Sequence, residues 1–408
     1  MTGHIHPGAR APALLAVSLV ALVIALAACG GPSGTPTPTP AERPSPSGSA
    51  GPTQSPSPTR TPSPSPSPPD PLAGWTLEEK VGQLLMAGVD VQAQNPVTAD
   101  LVRQHHVGNV FLAGRTQAGR GAVAALTQSF RDLVGQGVTH GTPLLVATDQ
   151  EGGLVQVLRG DGFSEVPRAT EQAALDPAVL QQHAQGWGAE LAAAGINLDL
   201  APVMDLVPAG TEGSNAPVGY FARNYGTTPE QVTASANAFS AGLRAGGVET
   251  VIKHFPGLGR VTANTDDATG VTDTVTVPGD PSVGVFAAGI EAGARYVMMS
   301  SAVYTQIDPG APAVFSPAAV SLLRDDLGFD GVIMTDDLSG ADQVAAWSPG
   351  DRAVLAVAAG VDLVLASADA TVVPEMAQAL VGRARTDPAF AARVDESARR
   401  VLAGKAGL

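Results

Sequence analysis

Lys253-His254 opens the most chemically loaded stretch of the chain, VIKHFPGLGRVTANTDD over Val251–Asp267. Other ionisable side chains also stand directly after apolar runs. Asp149-Gln150-Glu151 follows Leu144–Thr148, Asp205 closes Ile196–Val203, and Asp336-Asp337 follows Gly331–Thr335. Arg223 lies further on, in Phe221–Gly226. Singly, each has a plain structural use: Asp336 or Asp337 as a helix cap, Asp149 bonded to loop backbone, His254 packed, Arg223 in an ion pair. Taken together, acids and cations at strand ends suit hydrolysis. In a retaining glycosidase one carboxylate attacks the anomeric carbon while a second group protonates the leaving oxygen and then activates water. Metal-assisted hydrolysis, with acids and histidines holding a divalent ion, is the second chemistry. After residue 70 the histidines are His105, His106, His140, His183 and His254, and only His254 ends a strand. That argues against a histidine-built metal site and leaves an all-carboxylate one open. A third reading keeps the sugar-binding groups and drops the chemistry. No cofactor is implied.

The elements that must hold these residues recur as a unit. An alanine-rich helical stretch stops at Gly195, Gly247, Gly293 or Gly360, and an apolar run follows at once. Glycine takes the left-handed conformation a helix stop needs at little cost. Helix starts are marked by Asp176-Pro177, Thr228-Pro229, Ser316-Pro317 and Ser348-Pro349, and Thr76–Glu79 has capping-box spacing. The expected strands are Gln83–Val89, Val107–Leu112, Leu144–Thr148, Ile196–Val203, Glu249–Lys253, Arg295–Ser300, Gly331–Thr335 and Val361–Ala366. They are continuously apolar rather than alternating, as parallel strands buried on both faces must be. Eight such units predict an α/β fold, a single TIM (β/α)8 barrel over residues 71–408, closed by one helix after the eighth strand. An open doubly wound sheet is disfavoured, because no run leads into a G-x-G-x-x-G loop. In a barrel the strand ends converge on one mouth, which is where the ionisable residues fall.

At these residues the chain resembles glycoside hydrolase family 3, in its single-barrel branch of β-N-acetylglucosaminidases, over nearly all of residues 74–408. The likeness is carried by Thr76–Gln83, by Thr148–Gly153, by Lys253-His254-Phe255-Pro256-Gly257 and by Met334–Ser339. It implies Asp336 as nucleophile, and Asp149, Arg223, Lys253 and His254 as sugar-binding residues. Departures accompany it. Where this branch has Gly-His-Gly and then Asp-Ser-His, with the last His as acid/base, the chain reads Gly257-Leu258-Gly259 and then Asn264-Thr265-Asp266. Leu154 and Val157 stand where the branch has arginines, and a His often found after the sixth strand is replaced around Ser301. Three outcomes follow: Asp266, or Asp267 beside it, serves as a carboxylic acid/base; the enzyme takes a different sugar; or catalysis is weak or absent. The expected activity is release of a terminal β-linked sugar, N-acetylglucosamine from a cell-wall-type glycan. A β-glucosidase specificity and an inactive sugar-binding barrel are the alternatives.

The N-terminal segment points to export. Ala11–Ala28 is an apolar run after Arg10, and it ends in Leu26-Ala27-Ala28-Cys29. Cys29 is the single cysteine of the chain, so it has no internal disulfide partner. The tetrapeptide resembles a bacterial lipobox, which implies a signal peptide over 1–29, lipidation of Cys29 and an extracytoplasmic protein anchored to the cell membrane. Residues 30–70 are almost wholly Pro, Ser, Thr and Gly, too poor in apolar surface to offset chain entropy, and read as a disordered, semi-rigid spacer. The acidic balance sits beyond it. Three of the 23 Lys/Arg and two of the 38 Asp/Glu fall by residue 70, leaving 20 against 36, a net −16. That charge argues against nucleic acid or anionic lipid as a partner; the carbohydrate partner is what the family resemblance implies.

Overall fold

The computed structural model describes residues 70–407, so Cys29, the expected leader and nearly all of the spacer lie outside the described residues. Eight parallel strands close into a barrel: β1 (Leu85–Asp90), β2 (Asn109–Ala113), β3 (Leu145–Thr148), β4 (Leu198–Asp199), β5 (Glu249–Phe255), β6 (Tyr296–Met299), β7 (Val332–Asp337) and β8 (Leu363–Ala366). Each strand pairs with its sequence neighbours, and β1 closes on β8 through Leu85 opposite Val364 and Ala87 opposite Ala366. This is the expected (β/α)8 barrel. Its interior is packed, with Met86, Phe111, Leu145, Leu198, Val251, Met298, Met334 and Leu365 filling it between the strands. A second, larger apolar layer lies between the strands and the helices around them. Two-sided burial is why the strands read as unbroken apolar runs.

The local signals act as read. Asp176, Thr228, Ser316 and Ser348 each accept a backbone N–H of the first helical turn, and Thr76 with Glu79 forms the reciprocal capping box. Gly195, Gly247, Gly293 and Gly360 have φ between 83° and 113°. Two expectations need correction. The first strand starts at Leu85, because the capped helix Leu77–Gln83 runs on through Gln83. Two long helices follow β8, Val373–Thr386 and Pro388–Lys405, because Asp387-Pro388 is another cap-and-proline start, with Asp387 accepting from Ala389 and Phe390.

The last helix also closes the end of the barrel remote from the site. Lys405 is buried there, and its ammonium donates to Gln83 Oε1 at 2.7 Å and Gly108 O at 2.8 Å. No carboxylate partners it among the described residues, and burial pushes it down to about 7.

Candidate active site

The C-terminal strand ends surround a cavity of about 400 Å3. Asp149, Arg223, Lys253, His254, Asp266 and Asp336, singled out from five separate places in the sequence, all line it. β3 delivers Asp149, β5 delivers Lys253 and His254, and β7 delivers Asp336. Arg223 arrives on the long segment after β4, just past the turn Gly219–Phe221.

One side of the cavity is a buried ion-pair network. Lys253 Nζ lies 2.7 Å from both Asp149 Oδ1 and Glu151 Oε1. Arg223 donates to both oxygens of Glu151, from Nε at 2.8 Å and from Nη2 at 2.7 Å, and its Nη1 donates to Pro217 O. Burial alone would raise the Glu151 carboxyl, but Arg223 and Lys253 outweigh it and hold Glu151 down at about 2. Desolvation likewise works against the charge on Lys253, and Asp149 and Glu151 reverse it. Both cations are therefore charged and fixed in place, with N–H groups left to meet hydroxyls.

His254 is set by a different acid. Asp205, fully buried, accepts the His254 backbone N–H at 3.1 Å, the Leu258 N–H at 2.7 Å, and lies 2.7 Å from Nδ1. A carboxylate at Nδ1 assigns the proton there and leaves Nε2 for other partners. The same segment is held close to the β4 loop, since a Cβ on Gly259 would sit 1.9 Å from Leu206 O.

The paired acids at the end of β7 divide their work. Asp337 is spent on the loops after β7 and β8, accepting from Ser339 Oγ, Gly340 N–H and Ser367 N–H. Among the described residues Asp336 accepts only the Asp337 N–H, at 2.9 Å, and it otherwise faces the cavity. Burial pushes Asp336 up to about 6; His254 opposes this and the charge of nearby Asp266 adds to it. Asp266 itself is exposed. Asn264 Nδ2 donates to it at 3.2 Å and to Asp267 at 3.1 Å. The backbone of this loop is tied to the loop after β7, with Asp342 N–H donating to Asp266 O and Gln343 N–H donating to Thr265 O, both at 3.1 Å. The loop thus brings whatever stands at position 266 to the edge of the cavity that holds Asp336.

Besides Asp205, two acids in this neighbourhood were not given roles from the sequence. Glu151 bridges both cations. Asp199, fully buried at the end of β4, accepts from Gln150 N–H at 2.9 Å, and its other oxygen has no partner among the described residues. Burial pushes it up to about 8, Asp149 and Glu151 adding to that, so it is a neutral acid at pH 7. An Asp inside the largely apolar run INLDLAPV was the available signal. Among the described residues no cluster of three or more His, Cys, Asp or Glu is arranged to hold a metal ion.

Comparison with known proteins gives a consistent result. The profile of the glycosyl hydrolase family 3 N terminal domain matches residues 76–403. A beta-hexosaminidase of Vibrio cholerae serotype O1 is 32% identical over 283 residues, covering 69% of this chain and 80% of its own. One from Stenotrophomonas maltophilia is 34% identical over 296 residues, covering 69% and 81%. Among solved structures, the beta-N-acetylhexosaminidase of Beutenbergia cavernae superposes with a TM-score of 0.81 at 60% identity, over 82% of this chain and 99% of that one. A family 3 beta-N-acetylglucosaminidase from a Paenibacillus species gives 0.74 at 30% identity, over 81% and 62%.

Proposed function

This chain belongs to glycosyl hydrolase family 3 and is a glycosidase, and on that premise we propose that it releases terminal β-linked N-acetylglucosamine with retention, through a glycosyl ester on Asp336. The observation that carries the proposal is the division of labour at the end of β7: Asp337 is consumed by the loops after β7 and β8, while Asp336 is left in the cavity with one backbone contact. An Asp336 oxygen attacks the anomeric carbon as the bond to the leaving oxygen breaks. A proton passes to that oxygen from an acid on the other side of the bond. Water, deprotonated by the same group, then releases the sugar and regenerates the carboxylate. Asp266 is the acid/base in this scheme, placed by the loop that is stapled to the β7 loop. Asp149, Arg223, Lys253 and His254 grip the hydroxyls of the ring. The natural substrate is a cell-wall-type glycan.

The test is hydrolysis of aryl β-N-acetylglucosaminide and aryl β-glucoside by the full chain and by Asp336→Ala. Turnover of the first sugar well above the variant is expected; preference for the glucoside would reassign the specificity. A mechanism-based fluorosugar that labels any residue but Asp336 overturns the nucleophile assignment. The exposure of Asp266 favours one second reading, a barrel that binds sugar with weak or no turnover. Saturable sugar binding with no rate above the Asp336→Ala control would establish it.

We further propose that residues 1–29 act as a signal peptide, that Cys29 carries a lipid holding the protein to the outer face of the cell membrane, and that residues 30–70 are the spacer. Incorporation of labelled fatty acid in the wild type, lost in Cys29→Ala, is the expected result; equal labelling or none would remove the anchor.

A further inference from the structure

A smaller cavity, of about 240 Å3, adjoins the first. The two share Phe111, Asp149, Ser367 and Ala368, so they meet along the β2, β3 and β8 side of the mouth. Lys253, His254, Asp336 and the 264–267 loop line only the larger one. That asymmetry gives the pair a direction. In the proposed reaction Asp336 attacks one face of the anomeric carbon and the leaving group departs from the opposite face, toward the 264–267 loop. The part of the bound sugar remote from the anomeric carbon then faces the shared wall and the smaller cavity behind it.

The chemistry of the smaller cavity is specific. Ala113, Val155 and Val157 give it apolar walls, and its cation is Arg115. Arg115 is exposed, and its guanidinium makes no ion pair or hydrogen bond among the described residues; only its backbone carbonyl is engaged, by Gln92 Nε2. The one acid in the lining, Asp149, has its charge matched by Lys253 at 2.7 Å. An unpaired planar donor array over apolar walls suits an oxyanion able to accept two parallel N–H groups. The volume is below the usual range for a whole drug-sized ligand and fits a substituent.

We propose that the smaller cavity is a subsite for an anionic substituent, a carboxylate or a phosphate ester, on C4 or C6 of the sugar held in the larger one, with Arg115 as its counter-ion. The inference rests on the glycosidase reading. The full chain, Arg115→Ala and Arg115→Lys are assayed on aryl β-N-acetylglucosaminides that are unsubstituted, phosphorylated at O4 or O6, carboxymethylated at O4 or O6, or methylated there as neutral size controls. Arg115→Ala is expected to lower kcat/KM for at least one anionic substrate about ten-fold more than for the neutral ones, with Arg115→Lys recovering part of it. The phosphoryl and carboxymethyl arms tell the two anions apart. Equal effects on charged and neutral substrates, or turnover of the neutral ones alone, overturn the proposal. If nothing is turned over, the glycosidase reading for this sugar is what has failed. Calorimetry with the corresponding thioglycosides then decides: binding that needs both the anion and Arg115 keeps the subsite, and binding indifferent to either, or none at all, removes it.

Discussion

Replacing Glu151 by Gln keeps the side chain's shape and removes the negative charge between Arg223 and Lys253, which tests whether those cations are held electrostatically or by packing. In the folded chain Glu151 titrates near 2 instead of 4.5. The difference, about 2.5 units at about 1.4 kcal/mol each, stabilises the fold by roughly 3 kcal/mol at neutral pH. The residue is 5% exposed, so solvent screening takes little from that figure. It also falls at the low end of the roughly 3–5 kcal/mol lost when one partner of a buried pair is removed. A carboxylate whose folded pKa is depressed contributes fully above its unfolded value and loses the contribution as pH falls toward the folded one. About 2 kcal/mol of it should therefore be gone at pH 3. Urea denaturation of wild type and Glu151→Gln, compared at equal slope, should give a difference of about 3 kcal/mol at pH 7 and about 1 kcal/mol at pH 3. Sugar affinity should fall too, because both cations lose their common anchor. A loss below about 1 kcal/mol at pH 7, or the same loss at both pH values, would refute the electrostatic account.

Asp336, raised to about 6, must be ionised to act as the proposed nucleophile, so kcat/KM should fall ten-fold per pH unit below about pH 6. Removing the neighbouring charge with Asp266→Asn should move that limb to lower pH, and the loss of rate should be greater for poor leaving groups than for good ones. An unmoved limb, measured on an activated aryl glycoside, would separate the two carboxylates. Asp205→Asn should cost on the order of 10–100-fold in kcat/KM, since His254 loses the carboxylate that orients its Nδ1–H, while the far-UV spectrum stays native. Asp199 is neutral when folded and ionised when unfolded, so its contribution is fully present below about pH 4 and is lost as pH rises toward 8. Asp199→Asn should accordingly gain at least about 1 kcal/mol on wild type between pH 5 and pH 8 in paired denaturation curves. Gly259→Ala places a methyl against the Leu206 carbonyl and should lower the melting temperature by several degrees, with loss of sugar binding.

The barrel was legible because its signals are local. Thr228-Pro229 starts a helix and Gly247 ends one without help from the rest of the chain, and buried parallel strands leave an apolar run wherever they occur. Boundaries failed where two local signals competed, as at Gln83, which reads as strand and ends a helix. At the site, positions were legible and relationships were not. Asp336 and Asp337 are equivalent on paper; only the contacts of Asp337 to Ser339 and Ser367 tell them apart. Glu151 draws its meaning from Arg223, 72 residues away, and Asp205 from its grip on His254, 49 residues away. Asp199 looked like one polar residue in a strand, because burial with one oxygen unpaired is a property of the packed barrel. What stands at position 266 could be read directly; that the loop is tied to Asp342 and Gln343, and that Asp266 is exposed, could not.

The seal at the far end of the barrel constrains the order in which this chain can fold. Lys405 bonds Gln83, 322 residues earlier, and β1 is flanked by β8. The first helix and first strand thus lack part of their native surroundings until the final helix has been synthesised. At roughly 5–20 residues per second, that is a wait of roughly 15–60 s during which the N-terminal half has no closed barrel to join. Under the export proposed above, such a delay is an advantage, because it keeps early segments threadable. Nested C-terminal truncations followed by pulsed proteolysis would measure it: protection of residues 77–113 should appear only once the chain extends through Lys405.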